Sequence, residues 1–261
     1  MTTALVVAHP GHELRVHRWL ETERPTAFVL TQGDGATGVS RLASTTRVLT
    51  SAGASIGSVY GRLEDREIYA ALLRQDHALF CQILDDLVEA FVALDVDVAA
   101  GDEEDGYNPS HDVCRYLTTA AVACASRLLD RPVKNLEFSL VGAPDACSND
   151  LRGGAVWLHL DSAAFERKLL AARSYPELRS EVDAAIANNG VEAFRIECLK
   201  PVSASPAATL AGRFYERHGE RQVSAGLYDD VIRYDAHVRP VKEAIWRHAR
   251  VSPADACPSA F

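Results

Sequence analysis

The chain has 261 residues, of which 48% are hydrophobic and 24% charged, a balance that supports a large buried core and excludes a disordered chain. Its 27 Lys and Arg stand against 36 Asp and Glu, a formal net charge of −9, which excludes the clustered cationic surface that nucleic-acid binding rests on. No window reaches the roughly 20 apolar residues of a membrane span, the start MTTALVVAHP lacks a signal peptide's basic leader, and the six cysteines (Cys81, Cys114, Cys124, Cys147, Cys198, Cys257) form no Cys-x-x-Cys pair, so a cytoplasmic protein with reduced thiols is expected.

In chain order, the apolar run Ala4–Ala8 predicts a strand buried on both faces, closed by the Pro-Gly turn of HPGH and a helix over 13–21. Thr26–Thr31 predicts a second strand, followed by the Gly-rich turn QGDGATG and a helix over 39–54. A short strand is expected at 58–60, and proline-free helical periodicity covers 65–94. Val96–Ala100 predicts the next strand, with the acidic loop GDEEDGYNPS after it and a helix over 111–129. Strands follow at 136–141 and 155–160, and Asp161 is placed to cap a helix running to about 173. A helix over 176–189 and a strand over 192–199 complete the readable pattern; the last 60 residues show no linker and are expected to extend a single domain from about residue 200. Strand–helix alternation through the first 160 residues predicts an α/β fold, a mainly parallel sheet with helices on both faces.

In such a sheet functional groups gather in the loops at the carboxyl ends of the strands. Three of these loops carry unusual residues: HPGHE, QGDGATG and GDEEDGYNPSHD. Neutral imidazole is the commonest zinc ligand, and a catalytic site takes three protein ligands, which His9, His12 and His111 can supply. Each can equally cap a helix or satisfy a loop carbonyl. Asp102 and Asp105 are within reach of the same pocket, whereas Glu103 and Glu104 are expected to be solvated. Tyr107 and Asn108 can polarise a substrate carbonyl, although Asn before Pro also starts turns. Asp34 reads as a turn residue able to touch substrate. His218 and His237 lie in an aromatic, basic cluster where Arg213, Tyr215 and Arg233 can either line an anionic pocket or staple the C-terminal segment to the core. His17, His77, His159 and His248 read as structural, and Cys114 as a core residue.

VVAHPGHE, TAFVLTQGDG and YNPSHD, in this order, resemble the LmbE-like (PIG-L) family of zinc-dependent de-N-acetylases, whose first motif is Ala-His-Pro-Asp-Asp-Glu and second His-Pro-Asp-His. HLDSAAFERKLLAARSY and VEAFRIE extend the resemblance to about residue 200. It implies a Rossmann-like fold and Zn2+ (alternatively Fe or Cu) held by His9, His12 and His111, with His12 where the family has Asp. It also puts Arg41 and Asp65 at substrate-binding positions. The family's general base falls on Gly11, its acid-electrophile on Asn108, and the Asp orienting that group on Ser110. Proton transfer is then expected from Glu13 or Asp112, both of which also sit in a first helical turn where a carboxylate favours the helix dipole. The expected function is a metal-dependent hydrolase removing an N-acyl group, in the family N-acetyl, from an amino-sugar-like small molecule, with neither nucleic acid nor membrane as partner and homo-oligomer formation left open. The alternatives are non-hydrolytic chemistry at a three-His metal site, and a degenerate binding protein without turnover.

Overall fold

A computed structural model of the protein describes residues 1–35, 38–202 and 212–250. Ala36 and Thr37 of the Gly-rich turn, and Cys257, lie outside the described residues. Thr3–Val7 (β1) buries all five residues, as an uninterrupted apolar strand does when both sheet faces are covered. Alternate residues feed two cores. Ala4, Val6 and Ala8 join Phe28, Leu30 and the helices of one face, while Leu5 and Val7 join Ala27, Val29 and the other.

Thr26–Thr31 (β2), Ser55–Leu63 (β3), Val98–Asp102 (β4) and Lys134–Phe138 (β5) run parallel with β1. With Val156–His159 (β6) and Ile196–Pro201 (β7), the described residues form a seven-stranded sheet of order β3-β2-β1-β4-β5-β7-β6. Gly101 allows β4 to approach β1 closely, since a Cβ there would stand 2.4 Å from the Val6 carbonyl oxygen. Helices His17–Glu23 (α1) and Leu42–Ala52 (α2) cover one face with Trp19, Leu20, Val48 and Leu49. Asp65–Arg74 (α3), His77–Ala93 (α4) and Pro109–Leu128 (α5) cover the other.

Several boundaries differ from the sequence expectation, each for a local reason. The helix expected over 65–94 is two helices, because Gln75 takes a left-handed conformation (φ 53°) and the Asp76 side chain accepts from Leu79 N to start α4 anew. The three-residue strand expected at 58–60 is the nine-residue β3, a sheet edge whose mixed exposure and register shifts against β2 blur the alternation. Val156–His159 (β6) pairs antiparallel with Ile196–Pro201 (β7), and β7 pairs antiparallel with β5, so the sheet is mainly rather than wholly parallel. Residues 192–195, expected to begin β7, belong to a 3-10 turn over Val191–Arg195. Asp161 caps Ser162–Arg173 (α6) through Ala164 N at 2.8 Å, as expected. A 3-10 turn over Pro176–Leu178 leads into Arg179–Asn189 (α7).

Phe214–Ser224 (α8) and Arg239–Ala249 (α9) follow; Val241, Ile245 and Ala249 of α9 join the core built by α4 and α5. Among the described residues no helix is long and apolar enough to cross a membrane. The five parallel strands end at one edge, and at β1 the strand order reverses, with β2 on one side and β4 on the other. A crevice opens at such a point.

Candidate active site

β1 delivers two histidines into that crevice. The strand stops at Val7, and the turn through Gly11 (φ 107°) starts a 3-10 turn at His12. α5 delivers the third: Asn108 caps it by accepting from Ser110 N at 2.9 Å, Pro109 occupies the first turn, and His111 follows. The ring centres of His9 and His12 are 5.3 Å apart, those of His9 and His111 5.4 Å, and those of His12 and His111 4.7 Å. All three rings meet edge to face.

Each imidazole is held from behind by a carboxylate through Nδ1. His9 meets Asp65 at 3.1 Å and the Thr31 hydroxyl at 2.7 Å. His12 meets Asp102 at 2.9 Å, and His111 meets Asp105 at 2.9 Å. Because an ionised carboxylate only accepts, Nδ1 carries the hydrogen and Nε2 keeps its lone pair. The carboxylates are themselves fixed: Asp102 accepts from Ala8 N, Asp65 from Gly35 N, and Asp105 from Tyr107 N.

This donor set fits a divalent ion. Nε2 of His9 is buried and has no hydrogen-bond partner among the described residues. Imidazoles bound through nitrogen at about 2.0–2.1 Å in a tetrahedron have ring centres roughly 5 Å apart, which is the observed spacing. Among the described residues no group of three or more His, Cys, Asp or Glu side chains is arranged so that it could hold a metal ion as it stands.

The electrostatics favour the neutral form at His12 and the protonated form at His111. Burial lowers the His12 pKa to about 4, with Asp102 opposing it. Burial also works to lower His111, but Asp105, with Asp102 and Asp112 behind it, outweighs burial and raises it. For Asp65 burial disfavours the charge, and the His9 contact reverses the balance and holds the carboxyl well below its usual range. Asp102 is likewise lowered, burial being outweighed by His12.

The expected catalytic and substrate residues divide. Tyr107 is 47% exposed, lines the cavity described below, and stacks on Phe214 with ring centres 4.6 Å apart. Asn108 is spent on the α5 cap and on Tyr69, 3.1 Å away. Glu13 is fully buried; its carboxylate accepts from Gly11 N at 2.6 Å and the Thr45 hydroxyl at 2.9 Å, and burial pushes it up to about 7. Asp112 accepts from Gly106 N and pairs with Arg213, which also binds Glu104 at 2.7 Å. Burial opposes charge on Arg213, but Asp112 and Glu104 outweigh it and raise the guanidinium.

Several expectations are corrected here. Glu104 is buried against Arg213 instead of solvated, and Glu103 is half-buried against Lys200 at 2.6 Å. Arg213 is committed to two carboxylates and stacks over Tyr234, so it staples the C-terminal segment instead of lining an anionic pocket. Arg233 pairs with Glu220. Asp65, expected at the substrate, turns its carboxylate to His9, and Asp34 holds the Asp65 backbone N at 2.8 Å. His218 packs against Phe214, and His237 accepts from Arg233 N; neither lines the cavity. Arg41 does line it, paired with Glu181 at 3.4 Å.

That cavity, about 550 Å³, opens beside His12 and His111 and reaches α6 and α7 through Lys168, Leu169, Val182 and Ile186. Sequence reasoning placed none of these later residues at the site. The signal that would have pointed to α7 is Val182 and Ile186, apolar at i, i+4 on an otherwise polar helix. Thr31, the partner of His9, was also missed; it ends the second strand, where side chains meet the crevice.

No family model matches the chain, and no curated protein matches it by sequence. Among solved structures it resembles a deacetylase triple mutant involved in the teicoplanin biosynthetic pathway, with a TM-score of 0.51 and 14% identity over 78% of this chain and 99% of that one. The chain shares that protein's fold. At that identity the likeness establishes the Rossmann-like architecture expected from the LmbE-like resemblance, and the chemistry rests on the residues. The A40926 pseudoaglycone deacetylase (TM-score 0.44, 18% identity, 78% of this chain and 99% of that chain) and the zinc-inhibited form of teicoplanin deacetylase (TM-score 0.44, 13% identity, 86% and 94%) also match.

Proposed function

We propose that the protein is a divergent member of the LmbE-like de-N-acetylases, a metal-dependent hydrolase that removes an N-acyl group from an amino-sugar-like small molecule. The observation that carries this reading is the convergence of His9, His12 and His111, each backed by a carboxylate on Nδ1. These three side chains would hold the ion, Zn2+ in first place. Bound there, a divalent ion supplies a Lewis acid for the acyl oxygen and activates water for attack.

The chain's own residues do the rest. Asp65, Asp102 and Asp105 fix the imidazole tautomers and make Nε2 more basic. Tyr107, at the mouth of the cavity, offers its hydroxyl to the acyl oxygen as charge develops there. Glu13 holds and releases the proton. The family's base position is Gly11 in this chain, and the Glu13 carboxylate lies 2.6 Å from that residue's backbone N, with a pKa near neutrality. Asp112 is the weaker candidate, because one of its oxygens is held by the charged Arg213, whereas both Glu13 oxygens are held by neutral donors.

The test is metal content of tag-free protein together with acetate release from a panel of N-acetylated amino sugars. Zinc with amide hydrolysis supports the reading. One observation favours a second reading, the absence of any side chain at position 11. A three-His site with redox-active iron or copper and no hydrolysis would point to non-hydrolytic chemistry. Folded protein that binds the panel without turnover would point to a degenerate binder.

A further inference from the structure

A substrate cavity built for a bare acetamido sugar would present polar groups to the ring hydroxyls. This one does not. Its walls include Leu14, Leu140, Leu169, Leu178, Val182 and Ile186, and its volume of about 550 Å³ falls within the range of roughly 300–1,000 Å³ that encloses whole drug-sized ligands. An acetyl group occupies a small corner of such a space.

Two of the cations that line the cavity, Arg15 and Lys168, have their polar ends tied to other protein groups. Arg15 gives Nε to the Ser139 carbonyl at 2.9 Å and Nη2 to the Gly142 carbonyl at 3.0 Å. Lys168 gives Nζ to the Arg15 carbonyl at 2.9 Å and to Glu197 at 2.8 Å. Arg41 reaches Glu181 at 3.4 Å, and this pair forms a charged stretch of the cavity wall. The methylene stems of Arg15 and Lys168 then add to the apolar surface. The apolar wall also continues to the HPGH turn itself. At Gly11 a Cβ would stand 2.1 Å from Leu178 Cδ1, so a leucine methyl fills the space that a side chain at position 11 would take. Sugar hydroxyls stripped of water against these walls would lose hydrogen bonds without replacement, whereas an apolar group would gain.

We infer that the substrate carries an apolar arm, alkyl or aryl, next to the scissile amide, and that this arm lies in the cavity between His12, His111 and α7. The inference rests on the proposed amide hydrolysis for its placement but not for its binding. The arm has two chemical sources, a long N-acyl chain or an apolar group linked to the sugar on the amine side.

The experiment uses the purified, metal-loaded full chain and two substrate series. One extends the acyl group of glucosamine from acetyl through butanoyl, hexanoyl and octanoyl to decanoyl. The other keeps N-acetyl and extends an alkyl glycoside from methyl to octyl. Hydrolysis gives kcat/KM, and calorimetry on the same compounds gives affinity whether or not they turn over. Affinity or kcat/KM should rise roughly three- to fourfold per added methylene in one series, and the series that rises identifies the source of the arm. In Ala185→Trp and Val182→Asp, two changes on half-buried positions of α7 checked by circular dichroism and thermal melting, that slope should collapse to less than twofold across the series. Flat affinity and flat kcat/KM in both series overturn the inference, as does a slope that survives both α7 variants. Chain-length-dependent binding without hydrolysis would keep the apolar site and remove the hydrolase reading.

Discussion

His111 and Asp105 face each other across the turn into α5, Nδ1 to carboxylate oxygen at 2.9 Å, with both side chains buried. The contact fixes which nitrogen faces the crevice, and the second oxygen of Asp105 is tied to Tyr107 N at 2.8 Å, so the pair cannot swing freely. Asp105→Ala should lower zinc affinity about 10–100-fold with the circular dichroism unchanged, and Asp105→Asn, which keeps an acceptor, should lose less. Competition with a chromophoric chelator measures both. Equal affinity in wild type and Asp105→Ala would remove Asp105 from the support of the ligand.

His12 stands where the LmbE-like family has a carboxylate, and its burial keeps it neutral, with a pKa of about 4. His12→Asp should still hold zinc, because a carboxylate is an equally competent ligand. His12→Ala should lose most of the affinity. The chelator assay decides here too: zinc content in His12→Ala matching wild type would take His12 out of the ligand set.

How far the sequence carried this depends on the kind of signal. The buried run at β1 and the HPGH turn made the first strand and two histidines readable, because a two-face-buried strand has no competing interpretation at that length. His111 was readable as a third partner only because parallel strands end at one edge. What the sequence hid are long-range pairings. Asp65 looks like a substrate contact until β3 brings it to His9, 56 residues away. Arg213 looks like an anion receptor until the fold sets it between Asp112 and Glu104, about a hundred residues earlier. The α7 wall was hidden for a related reason, since Val182 and Ile186 gain meaning only once α7 is laid over the cavity.

Glu13 links stability to pH. Its folded pKa of about 7 lies above the ordinary 4.5, so the unfolded chain releases this proton first as pH rises. The associated stability is fully present below pH 4.5 and is lost as pH rises through 7, by on the order of 3 kcal/mol in all. In metal-free protein Glu13→Gln should flatten that decline between pH 5 and 8, as thermal melts will show. In metal-loaded protein the same change should cut turnover by roughly 10²–10⁴-fold with metal retained. A wild-type pH profile of melting in Glu13→Gln would remove the linkage, and undiminished turnover would remove Glu13 as proton carrier.

Arg213 holds two buried carboxylates. Removing it in Arg213→Ala leaves Asp112 and Glu104 buried without their main cation, with Lys242 3.6 Å from Glu104 as a partial substitute. The cost should be about 3–5 kcal/mol, read by urea denaturation. Arg213→Ala combined with Asp112→Asn should lose clearly less than the sum of the two single changes, because each alone strands its partner. Additive losses would mean that the pair is not coupled.

Gly11 is the position where the resemblance invites repair, since the family's base is an Asp there. The structure argues against the simple repair. The backbone at Gly11 has φ 107°, which a side chain rarely adopts, and the new Cβ would meet Leu178 Cδ1 at 2.1 Å. Backbone strain of this kind costs about 1–3 kcal/mol, and the leucine must also move. Gly11→Asp alone should therefore lower the melting temperature and leave turnover of N-acetyl substrates no higher than wild type. Gly11→Asp with Leu178→Ala removes the steric part and keeps the strain. Its melting temperature should fall less than the two single losses added together. If the double variant also turns over N-acetyl substrates faster than Leu178→Ala, the wild-type site lacks a base at this position. If it does not, Glu13 already fills the role. A Gly11→Asp protein as stable as wild type, with Leu178 undisturbed in its crystal structure, would show that the space at position 11 is open after all.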